Sequence, residues 1–198
     1  MKVLMIKYIL LLISIAFSGE ANSLFVSYGF TGPIFQNLKL ISTNSRIDSK
    51  NPRTYQNQHY KNDKYKVLVE TLGPVDSTTA ASLIKIYGLG LIGTYQNRKS
   101  PYTGESATSI PCSKKSAPQI YTVSYFNSAA SVIVVNSTER DTLGICQESL
   151  IKQKVIIFLG YSPTKKSFIQ LRVYMPIDHY TEKIKNDFLN QFVGRFSL

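Results

Sequence analysis

Histidine and cysteine are scarce in this chain, two of each in 198 residues, and their scarcity removes more chemistry than any motif adds. Imidazole acid–base chemistry must use His59 or His179. His59 with Asp63, or His179 with Glu182, supplies two ligands where zinc wants three or four, so no metal is expected. Cys112 and Cys146 do not form a C-x-x-C pair, which leaves thiol–disulfide redox catalysis without its motif. Tryptophan is absent, so Tyr and Phe must supply the large core rings. Acidic residues are few as well: 12 Asp and Glu face 23 Lys and Arg, a formal charge of +11. There is no internal repeat and no coiled-coil heptad.

Long apolar runs are also rare. The one at Tyr8–Phe17 follows Lys2 and Lys7 and precedes Gly19-Glu20-Ala21, the layout of an export signal over residues 1–21 cut after Ala21. Ten residues are half of the roughly 20 that span a bilayer, so no retained transmembrane helix is expected. No cysteine lies near the cut to carry a lipid. Cleavage takes away Lys2, Lys7 and Glu20, leaving 21 basic against 11 acidic side chains on residues 22–198. That length suits a single domain. A secreted or periplasmic chain meets an oxidising compartment, where Cys112 and Cys146 are expected to form one disulfide. The loop of about 35 residues is worth roughly 3.8 kcal/mol in the chain-entropy account.

The strongest pattern lies between Ile120 and Pro176. In FIQLRVYMP, Ile169, Leu171, Val173 and Met175 share one face, with Gln170 and Arg172 on the other. IYTVSYF, AASVIVV and KVIIFLG complete four successive strands, and Gly160 with Ser162, Pro163 and Thr164 reads as a turn between the last two. YKVLVETLG is a fifth, with Val67 and Val69 on one face and Leu68 and Glu70 on the other. LFVSYGF and IFQNLKLIS, split by Thr31-Gly32-Pro33, read as a two-stranded hairpin. After Gly73-Pro74, Asp76 or Ser77 caps a helix carrying Ala80, Leu83, Ile84 and Tyr87, with Gly88, Gly90 and Gly93 as its stop. The nearly uncharged stretch 80–95 reads as a fully buried helix and strand. At the far end Asp178 is an N-cap and Ile177 a staple for a helix with Tyr180, Ile184, Phe188 and Phe192 inward, Lys183, Lys185 and Asp187 outward, and Gly194 as the stop. The expected fold is α+β: a mainly antiparallel sheet of five to seven strands, a C-terminal helix packed on it, a second buried helix and one disulfide.

Gly88-Leu89-Gly90-Leu91-Ile92-Gly93 spells G-x-G-x-x-G, but it follows a helix-like run instead of a strand and lacks the acidic residue about 20 positions on. No nucleotide cofactor is expected. Gly160-Tyr161-Ser162 and Gly104-Glu105-Ser106 lack the second glycine of a hydrolase elbow. Asn136-Ser137-Thr138 is a glycosylation sequon.

What exceeds background is the basic balance. Residues 42–64, with almost nothing to bury, read as a flexible basic insert. Here and just beyond, Arg46, Lys50, Arg53, Lys61, Lys64 and Lys66 are interleaved with Tyr55, Tyr60 and Tyr65. Cations with interspersed rings suit an anionic polymer or an envelope surface. The expectation is therefore an exported binding or accessory protein that uses no cofactor and contacts an anionic or protein partner. Two alternatives stand beside it. One is a secreted hydrolase of phosphodiesters or polysaccharides using His59 or His179, and the other an envelope-assembly component pairing through a sheet edge.

Overall fold

A computed structural model describes residues 23–47, 52–96, 118–138 and 151–193. They form α+β architecture: one seven-stranded antiparallel sheet with helices on both faces. The strands are β1 (Lys39–Ile47), β2 (Thr54–Lys61), β3 (Lys66–Gly73), β4 (Gln119–Tyr125), β5 (Ser128–Thr138), β6 (Ile151–Ser162) and β7 (Ser167–Pro176), in the spatial order β1-β2-β3-β7-β6-β5-β4. The sheet is two meanders joined where β3 pairs with β7, bringing together residues about a hundred apart in sequence.

Local chemistry explains the tight connections. Phe126 and Asn127, both at positive φ, make the two-residue turn between β4 and β5, the left-handed pair that matches strand twist. Between β2 and β3, the Asn62 Oδ1 accepts from the backbone N–H groups of Lys64 (2.9 Å) and Tyr65 (2.7 Å). Gly160 does not break β6, which runs on to Ser162 before a turn over residues 163–166. Glycine is required there for room: a Cβ would lie 2.4 Å from Phe158 Cζ and 3.1 Å from Tyr125 Cδ1.

One face of the sheet is covered by α2 (Glu182–Val193) and by the 23–38 segment. Phe30, Tyr125, Phe158 and Phe192 meet here: the Phe158 and Phe192 rings stack at 5.0 Å, and Phe30 and Tyr125 each stand edge-on to Phe158. The Tyr125 hydroxyl, wholly buried, donates to the Tyr28 carbonyl at 2.5 Å. On the other face α1 (Ser77–Gln96) lies over β5, β6 and β7, packing Ala80, Leu83 and Ile84 against Ile133, Ile157, Leu159 and Phe168.

Several expectations need correction. The 24–41 stretch is not a hairpin: residues 23–27 are helical, Pro33–Phe35 is a 3-10 turn, and only from Lys39 does a strand begin. Alternation in LFVSYGF sets Leu24, Val26, Tyr28 and Phe30 on one face; Tyr28 and Phe30 are buried, but Val26 is 62% exposed and Phe25 is buried instead. Within the stretch 42–64 expected to be a loop, residues 42–47 are strand in β1 and residues 54–61 form β2, whose pairing comes from backbone hydrogen bonds and owes little to apolar periodicity. Gly88, Gly90 and Gly93 do not stop α1, which continues to Gln96. Nor are residues 80–95 a buried helix and strand; they lie in one helix whose outer side exposes Ile86 and Leu89. Asp76 is the cap, its Oδ1 accepting from the Thr79 N–H at 2.6 Å. Asp178 is not: Ile177–His179 form a 3-10 turn, and Thr181 Oγ1 caps α2 by accepting from the Ile184 N–H at 3.2 Å. Lys185 turns inward to pair with Glu182, over the Tyr121 ring. Residues 1–21, Lys50, Cys112, Cys146 and Gly194 lie outside the described residues.

Candidate anion-binding face

The part of the sheet that α1 leaves open is built from β1, β2 and β3 and is bordered by β7, which α1 partly covers, and its register places every side chain in a cross-strand row. Directly opposed residues of antiparallel strands share a face, so the pairings read off as rows across it. The first row is Lys39, Lys61, Lys66 and Tyr174. Ser42, His59, Leu68 and Arg172 follow, then Asn44, Asn57, Glu70 and Gln170, and finally Arg46, Tyr55, Leu72 and Phe168. A bulge at Ile41 keeps Lys39 in line with the other two lysines.

Charge on this face is one-sided. Lys39, Arg46, Lys61, Lys66 and Arg172 stand against a single carboxylate, Glu70, and that carboxylate is engaged with Arg172 at 3.5 Å. The three lysines of the first row are exposed, and among the described residues none of them makes an ion pair. Like charges directly opposite one another destabilise a sheet by a few tenths of a kcal/mol per pair, an arrangement folding alone does not favour.

Two rows along the same face from the lysines lies a bonded polar row centred on Glu70. The Tyr55 hydroxyl donates to Glu70 Oε1, and the Gln170 Nε2 donates to Oε2 at 2.5 Å. Burial, then the bond to Glu70, pushes the Tyr55 phenol up to about 12, so it remains a donor throughout the neutral range. At the edge of the open face, Tyr87 from α1 packs its ring 5.2 Å from that of Phe168 and walls the face on one side.

Of the residues singled out from sequence, the sheet brings Arg46, Tyr55, Lys61 and Lys66 onto one surface. Lys64 sits exposed in the β2–β3 turn, and Arg53 precedes β2, where its charge adds slightly to the Thr79 hydrogen bonds that chiefly hold the Asp76 carboxyl below its usual range. Tyr60 belongs to the opposite face, 4% exposed and packed edge-on to Phe25 at 5.0 Å. His59 and His179, both exposed, lie on different elements, and neither makes a side-chain hydrogen bond or ion pair with a described residue. Among the described residues no group of three His, Cys, Asp or Glu is placed to hold a metal, and no helix is long and apolar enough to cross a membrane. Sequence reasoning missed Lys39, Asn57, Glu70, Gln170 and Arg172 as site residues. The period-two pattern had put Glu70 and both β7 residues on polar faces, but that β3 and β7 share one face follows only from their pairing.

Comparison with protein-family models, with curated proteins and with solved structures finds no match to this chain.

Proposed function

We propose that this chain is an exported, non-enzymatic binding protein that holds an anionic partner, an acidic polymer or envelope surface, against the open face of β1, β2 and β3. In this reading the 1–21 segment is removed on export and Cys112 and Cys146 join in a disulfide, so that the mature protein works in the periplasm or outside the cell. The observation that carries it is the exposed row Lys39, Lys61 and Lys66, three cations aligned on neighbouring strands with no acid opposite. Such a row raises the local potential and rewards a ligand whose charges repeat along its length. The β1 edge is a poorer contact for strand pairing, because the Ile41 bulge and flanking Lys39 and Arg46 blunt it.

The test is the salt dependence of polyanion binding. Affinity for a charged polymer falls steeply with salt, and each phosphate-type contact removed lowers the log–log slope by about one. The triple variant Lys39→Gln, Lys61→Gln, Lys66→Gln is expected to flatten the slope by about three. An unchanged slope and affinity in that variant would remove the face as the binding site.

A further inference from the structure

Resting on that reading, we infer that the anionic partner is a lipid surface: the lysine row meets its headgroups while Ile86 and Leu89, on the outer side of α1, enter its acyl boundary.

The composition of α1 does not match its packing. In 20 residues the helix carries one charge, Lys85, and its apolar side chains are not confined to one stripe, which is the composition of a helix buried on every side. The sheet covers one side only. Ala80, Leu83 and Ile84 pack against it, whereas Ile86 and Leu89, three apart and so neighbours on the helix surface, are 64% and 62% exposed. Adjoining exposed apolar side chains, unlike single ones, mark a contact surface. Residues 97–117, into which α1 runs, offer only Tyr102 and Ile110 as large apolar side chains to cover them.

Charge selects the cover. Tyr87 of α1 lies on Phe168, which ends the row of Arg46, Tyr55 and Leu72, so α1 and the cations of the open face share one side of the sheet. The 23–38 segment and α2 lie on the other. From Tyr55 to Lys61 is six residues along β2, about 20 Å, so apolar and cationic contacts fit one footprint. Their heights fit as well. A helix with its side chains is about 10–12 Å across, so the outer side of α1 stands about that far above the sheet, and extended lysines reach roughly half as high. The apolar tips therefore lead the ammonium groups by about 5 Å, within the range of about 5–10 Å by which interfacial helices sink past the headgroups. A soluble polyanion would occupy the lysines and leave α1 bare. A second copy packed α1 to α1 would cover Ile86 and Leu89, but it would bring together two chains of like net charge and leave both lysine rows unused. An anionic lipid surface engages both features, all of them exposed.

The experiment measures binding of the mature full-length protein to phosphatidylcholine vesicles, to vesicles of equal parts phosphatidylcholine and phosphatidylglycerol, and to inorganic polyphosphate. The mixed vesicles are expected to bind about a hundredfold more tightly than the neutral ones, through the three lysines. Replacing both apolar residues, Ile86→Ser with Leu89→Ser, should weaken mixed-vesicle binding by about a hundredfold and leave polyphosphate within about twofold. Both side chains are exposed, so the denaturant midpoint of that variant should hold. Because the chain has no tryptophan, Leu89→Trp supplies a single reporter, whose emission should move to the blue on mixed vesicles and be quenched by brominated lipid. The lipid assignment falls, with the lysine face left standing, if polyphosphate binds and mixed vesicles do not, if neutral vesicles bind as well as mixed ones, or if the double serine variant keeps its vesicle affinity and the reporter does not shift. A reporter already blue before vesicles are added means that α1 is covered by this chain or a second copy, and overturns the assignment too. Failure of both polyphosphate and mixed vesicles to bind overturns the anion-binding reading itself.

Discussion

Glu70 shows how much one residue can organise. It collects the Tyr55 hydroxyl, the Gln170 amide and the Arg172 guanidinium, and so fixes how three side chains from neighbouring strands are oriented. Because the fold raises the Tyr55 phenol from its ordinary 10 to about 12, the neutral form is favoured when folded. That contribution is fully present below pH 10 and is lost as pH rises from 10 to about 12. Tyr180, raised to about 12 by burial and the nearby Glu182, titrates over the same range. Thermal unfolding between pH 10 and 12 should therefore show a falling melting temperature, and Tyr55→Phe should reduce that fall, the remainder coming from Tyr180 and from Tyr28 and Tyr65, which burial also raises. Gly160 is the second telling residue. Gly160→Ala would drive a methyl into the Phe158 and Tyr125 rings, and overpacking of this kind costs about 1–3 kcal/mol, measurable as a lower denaturant midpoint at unchanged slope.

At the scale of elements, α1 shows where the nucleotide-like glycine string lies in the fold. The glycines lie inside the helix, far from the strand-to-helix turn that a pyrophosphate needs. A Cβ on Gly88 would make an ordinary contact with Leu159 Cδ1 at 3.7 Å, and one on Gly90 would meet nothing within 4 Å. Gly90→Ala should accordingly raise stability by about 1 kcal/mol through helix propensity alone, read as a higher denaturant midpoint. The β1–β2 ribbon is the opposite case. Its strands have little apolar content, since β1 is exposed along nearly its whole length, and they persist because β3 supplies a paired edge to build on.

For the whole molecule, the sheet divides its labour. The β5–β7 part, covered on both faces, carries most of the buried aliphatic core, and the β1–β3 part, open on one face, carries Lys39, Arg46, Lys61 and Lys66. A surface selected for binding and not for stability should reveal itself in opposite signs. Lys61→Gln, relieving repulsion from Lys39 and Lys66, should raise stability by a few tenths of a kcal/mol while weakening polyanion binding, checked by denaturant melts beside a binding titration. A loss of both would mean that Lys61 serves the fold.

The sequence alone determined the elements whose side chains report their own burial: β3 through β7, the start of α1 at Asp76, and the inward stripe of Tyr180, Ile184, Phe188 and Phe192. It also supplied the basic balance and half of the face, Arg46, Tyr55, Lys61 and Lys66. Only tertiary structure decided the rest. The 23–27 helix, the β1–β2 ribbon and the passage of α1 through its glycines all go against local pattern, because covering a sheet face or extending a sheet edge outweighs intrinsic preference. The candidate site was hidden for the same reason: Lys39, Asn57, Glu70 and Gln170 become neighbours only through strand register, which pairs residues as much as a hundred positions apart.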